Sequence, residues 1–295
     1  MRAQRLQDRW FPAALAVLLL VAGVVLGALL AGVRGASVGG VLGVAAGTVL
    51  WRNMRRRERS RRKALSGPFP EAWRRLLEER YDHYSRLPTS LRGRFEDDLR
   101  IFLAEKRVTG VGVDASEELR LLVAASAVTL TLGWPDAEWD QLGEVLLYPQ
   151  GFDRDYSFEH ADLAGEAHAW GTVILSVPTL LESFAYPDDG YHVGLHEFAH
   201  LLDVEQTRFD GIPAGIDERR GREWYSLVER EIERIRRGKS ALDPYGAEAP
   251  AEFFAVAVEA FFEIPQELRG RHREVYAMLS EYFQQDPAAW DDARS

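Results

Sequence analysis

The chain of 295 residues contains no cysteine. Disulfide bonds and thiolate metal ligands are therefore excluded, which fits a reducing compartment but also fits many exported proteins. We find no internal repeats in the sequence. Its length is sufficient for one large domain or two ordinary ones, with a substantial core.

Basic residues are scarce after the first 63 positions. Residues 1–63 contain 12 Lys and Arg against 2 Asp and Glu, whereas the remainder contains 24 against 44 and carries a net charge of about −20. So acidic a region repels the phosphate backbone of nucleic acids and the surface of anionic lipids. We therefore expect no nucleic acid partner.

The first 51 residues form a separate unit in the sequence. Residues 11–33 are a nearly unbroken apolar run, long enough to cross the roughly 30 Å hydrocarbon core of a bilayer as a helix. A second, shorter and glycine-rich run at 36–51 predicts the return half of a transmembrane hairpin, because its small residues permit close helix contact. Since this run is short for a crossing, a re-entrant or interfacial segment is the alternative.

Basic residues flank both apolar runs. Arg2, Arg5 and Arg9 precede the first run, and residues 52–63 carry eight basic residues against one acid. Under the positive-inside rule both flanks stay in the cytoplasm, which two crossings satisfy and one crossing does not. We therefore predict a multi-pass protein of the inner (cytoplasmic) membrane with its soluble part in the cytoplasm. Residues 52–67 would be a basic juxtamembrane linker that contacts lipid headgroups or acts only as a topology signal.

Two histidines and a glutamate form a motif at residues 196–200. Positions i and i+4 lie on one face of a helix, so His196 and His200 can bind a single metal ion. Glu197 then lies beside the open coordination position, where it can accept a proton from a zinc-bound water whose pKa is lowered to about 7. A chance match in a chain of this length is expected at about the 1% level. The motif therefore indicates a zinc peptidase.

A third metal ligand is expected from a later element, because zinc sites of this kind usually combine three protein ligands with a water. Residues 250–263 are a strongly apolar stretch interrupted by carboxylates. Glu252 and Glu259 are seven residues apart and share one helix face, where an unpaired charge is costly. We predict that one is a ligand and that the other holds a ligand histidine. Spacing alone does not choose between them, and pairing of both with arginines is the alternative.

The motifs resemble those of the glucose-regulated zinc metallopeptidases typified by Mlc titration factor A, distant relatives of the anthrax lethal factor peptidase domain. The resemblance spans most of residues 68–290. Its strongest segments are His196–Asp203, Asp243–Tyr245 and Pro250–Ala255, and its weaker ones are Val145–Pro149 and Gly165–Gly171.

The resemblance implies roles for further residues. It implies that Glu252 is the third zinc ligand, which leaves Glu259 to hold a ligand histidine. It also implies that Tyr245 helps to bind the oxyanion, which fits a phenol donor near a metal; a tyrosine packed in a turn is the alternative. Asp203 follows His200 by three residues, so it either orients an imidazole or pairs at the surface.

We expect an α+β fold of the zincin-like metallopeptidase type, mainly helical with a small sheet, behind the N-terminal transmembrane hairpin. Apolar spacing and composition predict helices at 69–80, 90–107, 116–132 and 217–236, and strands at 144–148 and 169–177. The predicted parts are the hairpin at 1–51, the basic linker at 52–67, a helical N-terminal part of the catalytic region at 68–150 and the zinc peptidase core at 151–295.

The strand at 169–177 precedes the histidine motif. In zinc peptidases of this architecture such a strand forms the sheet edge to which an extended substrate adds, although an interior position is the alternative. Three histidines, His160, His168 and His192, also precede the motif. Each either contacts substrate or is a surface or core residue, and the second reading is favoured.

The sequence therefore predicts a membrane-tethered metallopeptidase with Zn²⁺ as its cofactor. The type of ligand and the common use of zinc in cellular enzymes favour this metal over manganese or cobalt. Its substrates would be peptides or proteins, and the resemblance suggests aminopeptidase action. The alternative follows from the family's namesake, which sequesters a transcriptional repressor of sugar uptake. In that case the chain would capture a regulatory protein at the membrane, with peptidase activity secondary.

Overall fold

Residues 2–135, 139–152, 163–205 and 208–292 are described by the computed structural model of the chain. They separate into an N-terminal unit, Met1–Ser66, and a C-terminal unit, Gly67–Ser295. The basic segment that the sequence predicts as a linker is helical as far as Ala64.

The N-terminal unit is a helical segment, α1 (Arg2–Ala64), whose backbone departs from helical geometry at Ala31 and Gly32. Gly32 has a φ of 59°, a conformation that glycine adopts without steric cost. The part Ala14–Ala64 reaches a mean hydropathy of 2.9 and is long and apolar enough to cross a membrane. Its length and composition therefore suit a membrane anchor.

Glycines bring the two halves of α1 into contact. A Cβ built on Gly23 would lie 2.2 Å from the carbonyl oxygen of Gly39, and one built on Gly27 would lie 2.0 Å from that of Gly35. Backbones approach this closely only where side chains are absent. That α1 crosses the membrane twice nevertheless remains a prediction.

The C-terminal unit is mainly helical with a small mixed sheet, as expected. Its α-helices are α2 (Glu71–Arg80), α3 (Asp82–Arg86), α4 (Thr89–Glu105), α5 (Glu117–Thr131), α6 (Val177–Ala185), α7 (Val193–Asp203), α8 (Glu218–Arg236), α9 (Pro250–Glu263), α10 (Pro265–Arg271), α11 (Arg273–Phe283) and α12 (Pro287–Asp292). Its strands are β1 (Arg107–Gly110), β2 (Glu144–Tyr148), β3 (Gly165–His168), β4 (Thr172–Ser176), β5 (Val204–Glu205) and β6 (Arg208–Phe209).

Capping residues explain where two of these helices begin. The Ser116 hydroxyl accepts the backbone N–H of Leu119 at the start of α5, at 3.2 Å. The Asp217 carboxylate accepts the N–H groups of Arg219 and Arg220 at the start of α8, both at 3.0 Å. Each side chain satisfies N–H groups that have no partner within the helix. Both helix starts agree with the sequence prediction.

The main sheet has the strand order β1-β2-β4-β3, in which β1, β2 and β4 are parallel and β3 is antiparallel to β4. The predicted edge position of the strand at 169–177 is therefore wrong. That strand is β4, it begins at Thr172, and it lies inside the sheet. Val173, Ile174 and Leu175 are buried, which is typical of a strand covered on both faces. The two edges of the described sheet are β1 and β3, and β3 is the edge strand that packs against α7.

The helix α7 lies in the core, between helices and strands of the main sheet. Every residue of α7 is buried, and the helix packs against α5, α9 and the two strands β3 and β4. Gly194 permits the close approach of α5, because a Cβ at this position would lie 2.4 Å from the Ser126 hydroxyl oxygen. The histidine motif therefore lies on a helix that is fixed on several sides.

Glu263, the last residue of α9, is a buried carboxylate that the sequence did not single out. It is 5% exposed, and its Oε2 atom has no hydrogen-bond partner among the described residues. Burial raises the pKa of Glu263 from its ordinary 4.5 to about 10, although the nearby Arg86 opposes this rise. The group is therefore neutral at pH 7 in the folded chain.

We expect the Glu263→Gln substitution to stabilise the chain at alkaline pH. Between about pH 4.5 and pH 10 the folded state holds a proton that the unfolded state releases. The free energy of unfolding of the wild type therefore falls as pH rises, by up to about 1.4 kcal/mol per pH unit. The substitution removes this loss, so its melting temperature should exceed that of the wild type at pH 9 but not at pH 4. The exposed Glu229→Gln is the control, and an equal shift at both pH values would contradict the assignment.

Candidate metal centre

His192 determines where the helix of the histidine motif begins. Its Nδ1 atom accepts the backbone N–H of Leu195 at 3.2 Å, and the Ser183 hydroxyl accepts the N–H of Val193 at 3.1 Å. His192 is fully buried, and burial lowers its pKa to about 3. The ring is therefore neutral and able to accept a hydrogen bond. Of the two predictions for His192, the structure confirms the core position.

Two imidazoles and one carboxylate converge between α7 and α9. The Glu252 Oε2 atom lies 3.1 Å from His196 Nε2 and 3.4 Å from His200 Nε2. All candidate ligand atoms of the three residues lie within 4.8 Å of one another. Hydrogen bonds to both histidines lower the pKa of Glu252 to about 2, although its burial opposes this. Two imidazoles with one carboxylate are a donor set suited to a divalent metal of the first transition row.

Glu259 lies behind this cluster and connects the ligand histidine to the start of α7. Its Oε1 atom is 2.7 Å from His196 Nδ1, and its Oε2 atom accepts the backbone N–H of His192 at 2.5 Å. The carboxylate of Glu259 therefore holds a proton on His196 Nδ1 and orients the ring so that Nε2 lies toward Glu252. Burial disfavours the charged form of His196, but the charge of Glu259 and the hydrogen bond to Glu252 outweigh burial and raise the pKa. Spacing alone did not separate the two glutamates, whereas in the structure Glu252 lies beside both His196 and His200 and Glu259 contacts only His196 of the two.

We expect Glu259→Gln to weaken metal binding by roughly 10- to 100-fold, because loss of a carboxylate behind a ligand histidine has effects of this size. The dissociation constant for zinc, measured by competition with a chromophoric chelator, tests this. Glu263→Gln is a matched control, since it makes the same change one helical turn further along α9. Equal affinities for the wild type and Glu259→Gln would show that the contact with His196 does not support the ligand.

Glu197 is buried beside the three candidate metal ligands and in contact with the edge strand β3. It is 6% exposed, and burial raises its pKa against the opposing effect of His196 and His200. A Cβ built on Gly165 of β3 would lie 2.5 Å from Glu197 Oε1 and 2.6 Å from its Cγ. The edge strand therefore passes directly over the carboxylate.

Tyr245 lies on the other side of the cluster, in the short 3₁₀ helix Pro244–Ala247. Asp243 begins this helix by accepting the Tyr245 N–H at 2.8 Å. The Tyr245 ring is 5.9 Å from the His196 ring, measured between centroids, and the residue is 43% exposed. The position combines both sequence interpretations, since Tyr245 is a turn residue whose ring is beside a candidate ligand.

Asp203, at the end of α7, is fully buried, so the predicted surface pairing is wrong. Its described hydrogen bond is to a backbone N–H, that of Asp210 at 3.3 Å, rather than to an imidazole. Burial raises its pKa to about 8, although the backbone of Gly211 opposes this. A Cβ on Gly211 would lie 2.4 Å from the carbonyl of Pro250. Asp203 therefore binds Asp210 beside the end of α7, and the adjacent Gly211 packs against the start of α9.

His272 and Glu231 form a buried pair that sequence reasoning missed. His272 Nδ1 is 2.7 Å from Glu231 Oε2, and its Nε2 accepts the backbone N–H of Ala241 at 3.2 Å. The pair supports the loop that precedes Tyr245. Nothing in the local sequence marks it, because the two side chains are 41 positions apart. His160 lies outside the described residues.

Comparison with known proteins gives one family and several relatives. The family model of the glucose-regulated metallo-peptidases M90 matches residues 51–284. An uncharacterized protein of Synechocystis sp., slr2042, is 30% identical over 236 residues, which cover 75% of this chain and 86% of that protein. Mlc titration factor A of Edwardsiella ictaluri is 33% identical over 204 residues, covering 63% of this chain and 74% of its own. The same factor from an Escherichia coli strain is 30% identical over 207 residues, with 63% and 76% covered.

Proposed function

Because this chain belongs to the glucose-regulated metallopeptidase family, we propose that it is a zinc-dependent peptidase whose metal is held by His196, His200 and Glu252. The observation that carries the proposal is the convergence of these three side chains within 4.8 Å. Three protein ligands with an open position are the arrangement of catalytic zinc sites, whereas structural sites are closed by four.

Each residue around the cluster has its own role in the proposed peptide hydrolysis. A bound zinc ion lowers the pKa of a water ligand to about 7 and polarises the scissile carbonyl. Glu197 takes the proton of the attacking water on its carboxylate and later gives it to the leaving amine. Burial raises the pKa of Glu197, which makes its carboxylate a better proton acceptor. Tyr245 donates its phenol proton in a hydrogen bond to the developing oxyanion.

An extended substrate is proposed to pair with β3, the edge strand of the described sheet that packs against α7. A peptide that adds to a sheet edge is held by its backbone, whatever its sequence. Since Gly165 of β3 contacts Glu197, the backbone of such a peptide would pass the carboxylate that receives the proton. This relation between edge strand and metal helix is the basis for proposing a zincin-like fold.

Metal content and peptide cleavage, measured on the same full-length preparation, test the proposal. We expect about one zinc per chain, cleavage within a mixed peptide library, loss of cleavage with a chelator and recovery with added zinc. The Glu252→Ala variant should lose most of its metal and its activity together. Peptides with free and acetylated N termini distinguish aminopeptidase from endopeptidase action. A zinc-loaded chain that cleaves no peptide would overturn the proposal.

We also propose that α1 crosses the membrane twice and leaves the C-terminal unit in the cytoplasm. The break at Ala31 and Gly32 and the glycine contacts between the halves of α1 support a helical hairpin. Basic residues before the first half and after the second support a cytoplasmic position for both ends.

The absence of cysteine makes this topology directly testable. In intact spheroplasts a membrane-impermeant maleimide should label the Val33→Cys variant, because Val33 is 85% exposed and adjacent to the break. It should label Ser66→Cys only after lysis. Labelling of Ser66→Cys in intact spheroplasts would place the C-terminal unit outside and contradict the proposal.

The name of the relatives favours a second candidate function. Mlc titration factor A is named for a protein that it titrates, and related copies share about 30% identity with this chain. The corresponding proposal is that this chain captures a regulatory protein at the membrane, with peptidase activity secondary. The Glu197→Gln variant separates the two candidate functions.

A further inference from the structure

A tryptophan projects from the turn that follows the edge strand. Trp170 is 75% exposed, more than any other large apolar side chain in the described part of the C-terminal unit. One face of its ring is covered by His168, with ring centroids 4.2 Å apart and planes inclined by only 8°. A stacked pair of this kind leaves the other face of the indole available to a planar group.

The turn that carries Trp170 is fixed by hydrogen bonds. The Gly171 N–H donates to the His168 carbonyl at 2.8 Å, and the Gly171 carbonyl accepts the N–H of Gly143 at 2.7 Å. Gly171 has a φ of 94°, as expected for the last residue of a three-residue hairpin loop. The indole is therefore presented from a defined backbone and not from a loose loop.

A carboxylate with an unsatisfied oxygen lies on the same strand. Glu166 precedes His168 by two residues, so both side chains lie on one face of β3. The Oε2 atom of Glu166 is buried and has no hydrogen-bond partner among the described residues. His168 Nε2 is 3.8 Å away, too far for a hydrogen bond. A buried carboxylate oxygen without a donor is unfavourable. The Glu166 side chain as a whole is 32% exposed, so a bound molecule can reach the side chain and supply a donor to its carboxylate.

We propose that Glu166, His168 and Trp170 form a subsite for an arginine side chain of an extended peptide substrate. The inference rests on the proposed peptidase function and specifies its substrate class. A guanidinium group is planar, stacks on indole and donates paired N–H groups to a carboxylate. Lysine offers a compact charge without the planar fork, so it should bind less well. The net charge of about −20 after residue 63 further favours cationic peptides.

The position of the subsite predicts where the arginine stands in the substrate. Gly165 contacts Glu197, and each further residue of β3 lies roughly 3.3 Å along the strand. Glu166 and His168 are therefore one and three residues from the point where the bond is cleaved. Alternate side chains of an added strand face opposite sides of the sheet. The arginine should therefore be recognised at one position, within about four residues of the cleaved bond and on one side of it.

Paired peptides test the subsite on the full-length, zinc-loaded protein. In each pair the peptides differ only in having arginine or the uncharged citrulline at one position, which is moved from one to four residues on either side of the cleaved bond. We expect kcat/KM for the arginine peptide to exceed that for its partner by about 10-fold at one position. In Glu166→Gln this ratio should fall to near one, whereas the exposed Glu229→Gln should retain it. Trp170→Ala should lower the ratio more than Trp170→Phe.

The ratio is measured within one preparation, so a loss of folded protein does not change it. Equal cleavage of both members of every pair, or an arginine preference that survives in Glu166→Gln, overturns the subsite and leaves the peptidase function intact. Failure to cleave any member of any pair overturns the proposed function together with the subsite.

Discussion

Glu197→Gln is expected to abolish peptide hydrolysis while the chain keeps its fold and its metal. The substitution preserves the size of a buried side chain and leaves the three candidate ligands unchanged. It removes the carboxylate that we propose carries the proton from water to the leaving amine. Loss of a general acid and base typically lowers the rate by about 10²- to 10⁴-fold. The measurements are kcat/KM on a peptide cleaved by the wild type and zinc content per chain.

The same variant decides between the two candidate functions. If a cellular phenotype of the gene depends on hydrolysis, Glu197→Gln should behave like a deletion of the gene. A variant that keeps the phenotype without cleaving peptides would identify capture of a partner as the main function. Wild-type cleavage by Glu197→Gln would instead refute the proposed proton transfer.

Gly165→Ala is expected to lower activity strongly with little effect on metal content. The new methyl carbon would lie 2.5 Å from Glu197 Oε1 and 2.8 Å from its Cδ, so the carboxylate or the strand must move. A displacement of about 1 Å in a reacting group can cost about 100-fold in rate. The loss should appear in kcat, because the three atoms nearest the added carbon all belong to Glu197 and none belongs to a candidate ligand.

Gly93→Ala is the matched control for this substitution. Gly93 lies in α4, and a Cβ at this position meets no atom within 4 Å. Alanine is favoured over glycine in a helix by roughly 0.5–1 kcal/mol, so the control should be active and slightly more stable than the wild type. If Gly165→Ala cleaves peptides as fast as Gly93→Ala, the contact between β3 and Glu197 has no part in catalysis.

Local pattern was sufficient for the elements whose identity depends on neighbours in sequence. The spacing of His196 and His200 predicted a shared helix face, and α9 extends over the predicted residues Pro250–Glu263. Glu252 and Glu259 share one face of α9, so no local rule separates them. The position of each glutamate relative to the histidines depends on how α9 packs against α7. Packing between helices cannot be read from the periodicity of one helix.

The edge strand shows why the remainder was not predictable. Residues 165–168 are Gly, Glu, Ala and His, which have low strand propensity, and they become a strand only by pairing with β4. The neighbouring run Thr172–Ser176 has the stronger local signal, and its place before the histidine motif suggested the edge position, with an interior position as the alternative. Position within a sheet is determined by partners distant in sequence. The contact between Gly165 and Glu197 spans 32 positions and leaves no trace in either local pattern.

The single carboxylate of Glu259 joins the first amide before α7 to the imidazole one turn later. The His192 amide proton can exchange with solvent only after Glu259 has released it, and that release also frees His196 Nδ1. The hydrogen–deuterium exchange rate of the His192 amide therefore reports how often the face that carries the candidate ligands opens locally. A ligand that stabilises the site should lower this exchange rate even where no part of the ligand touches His192.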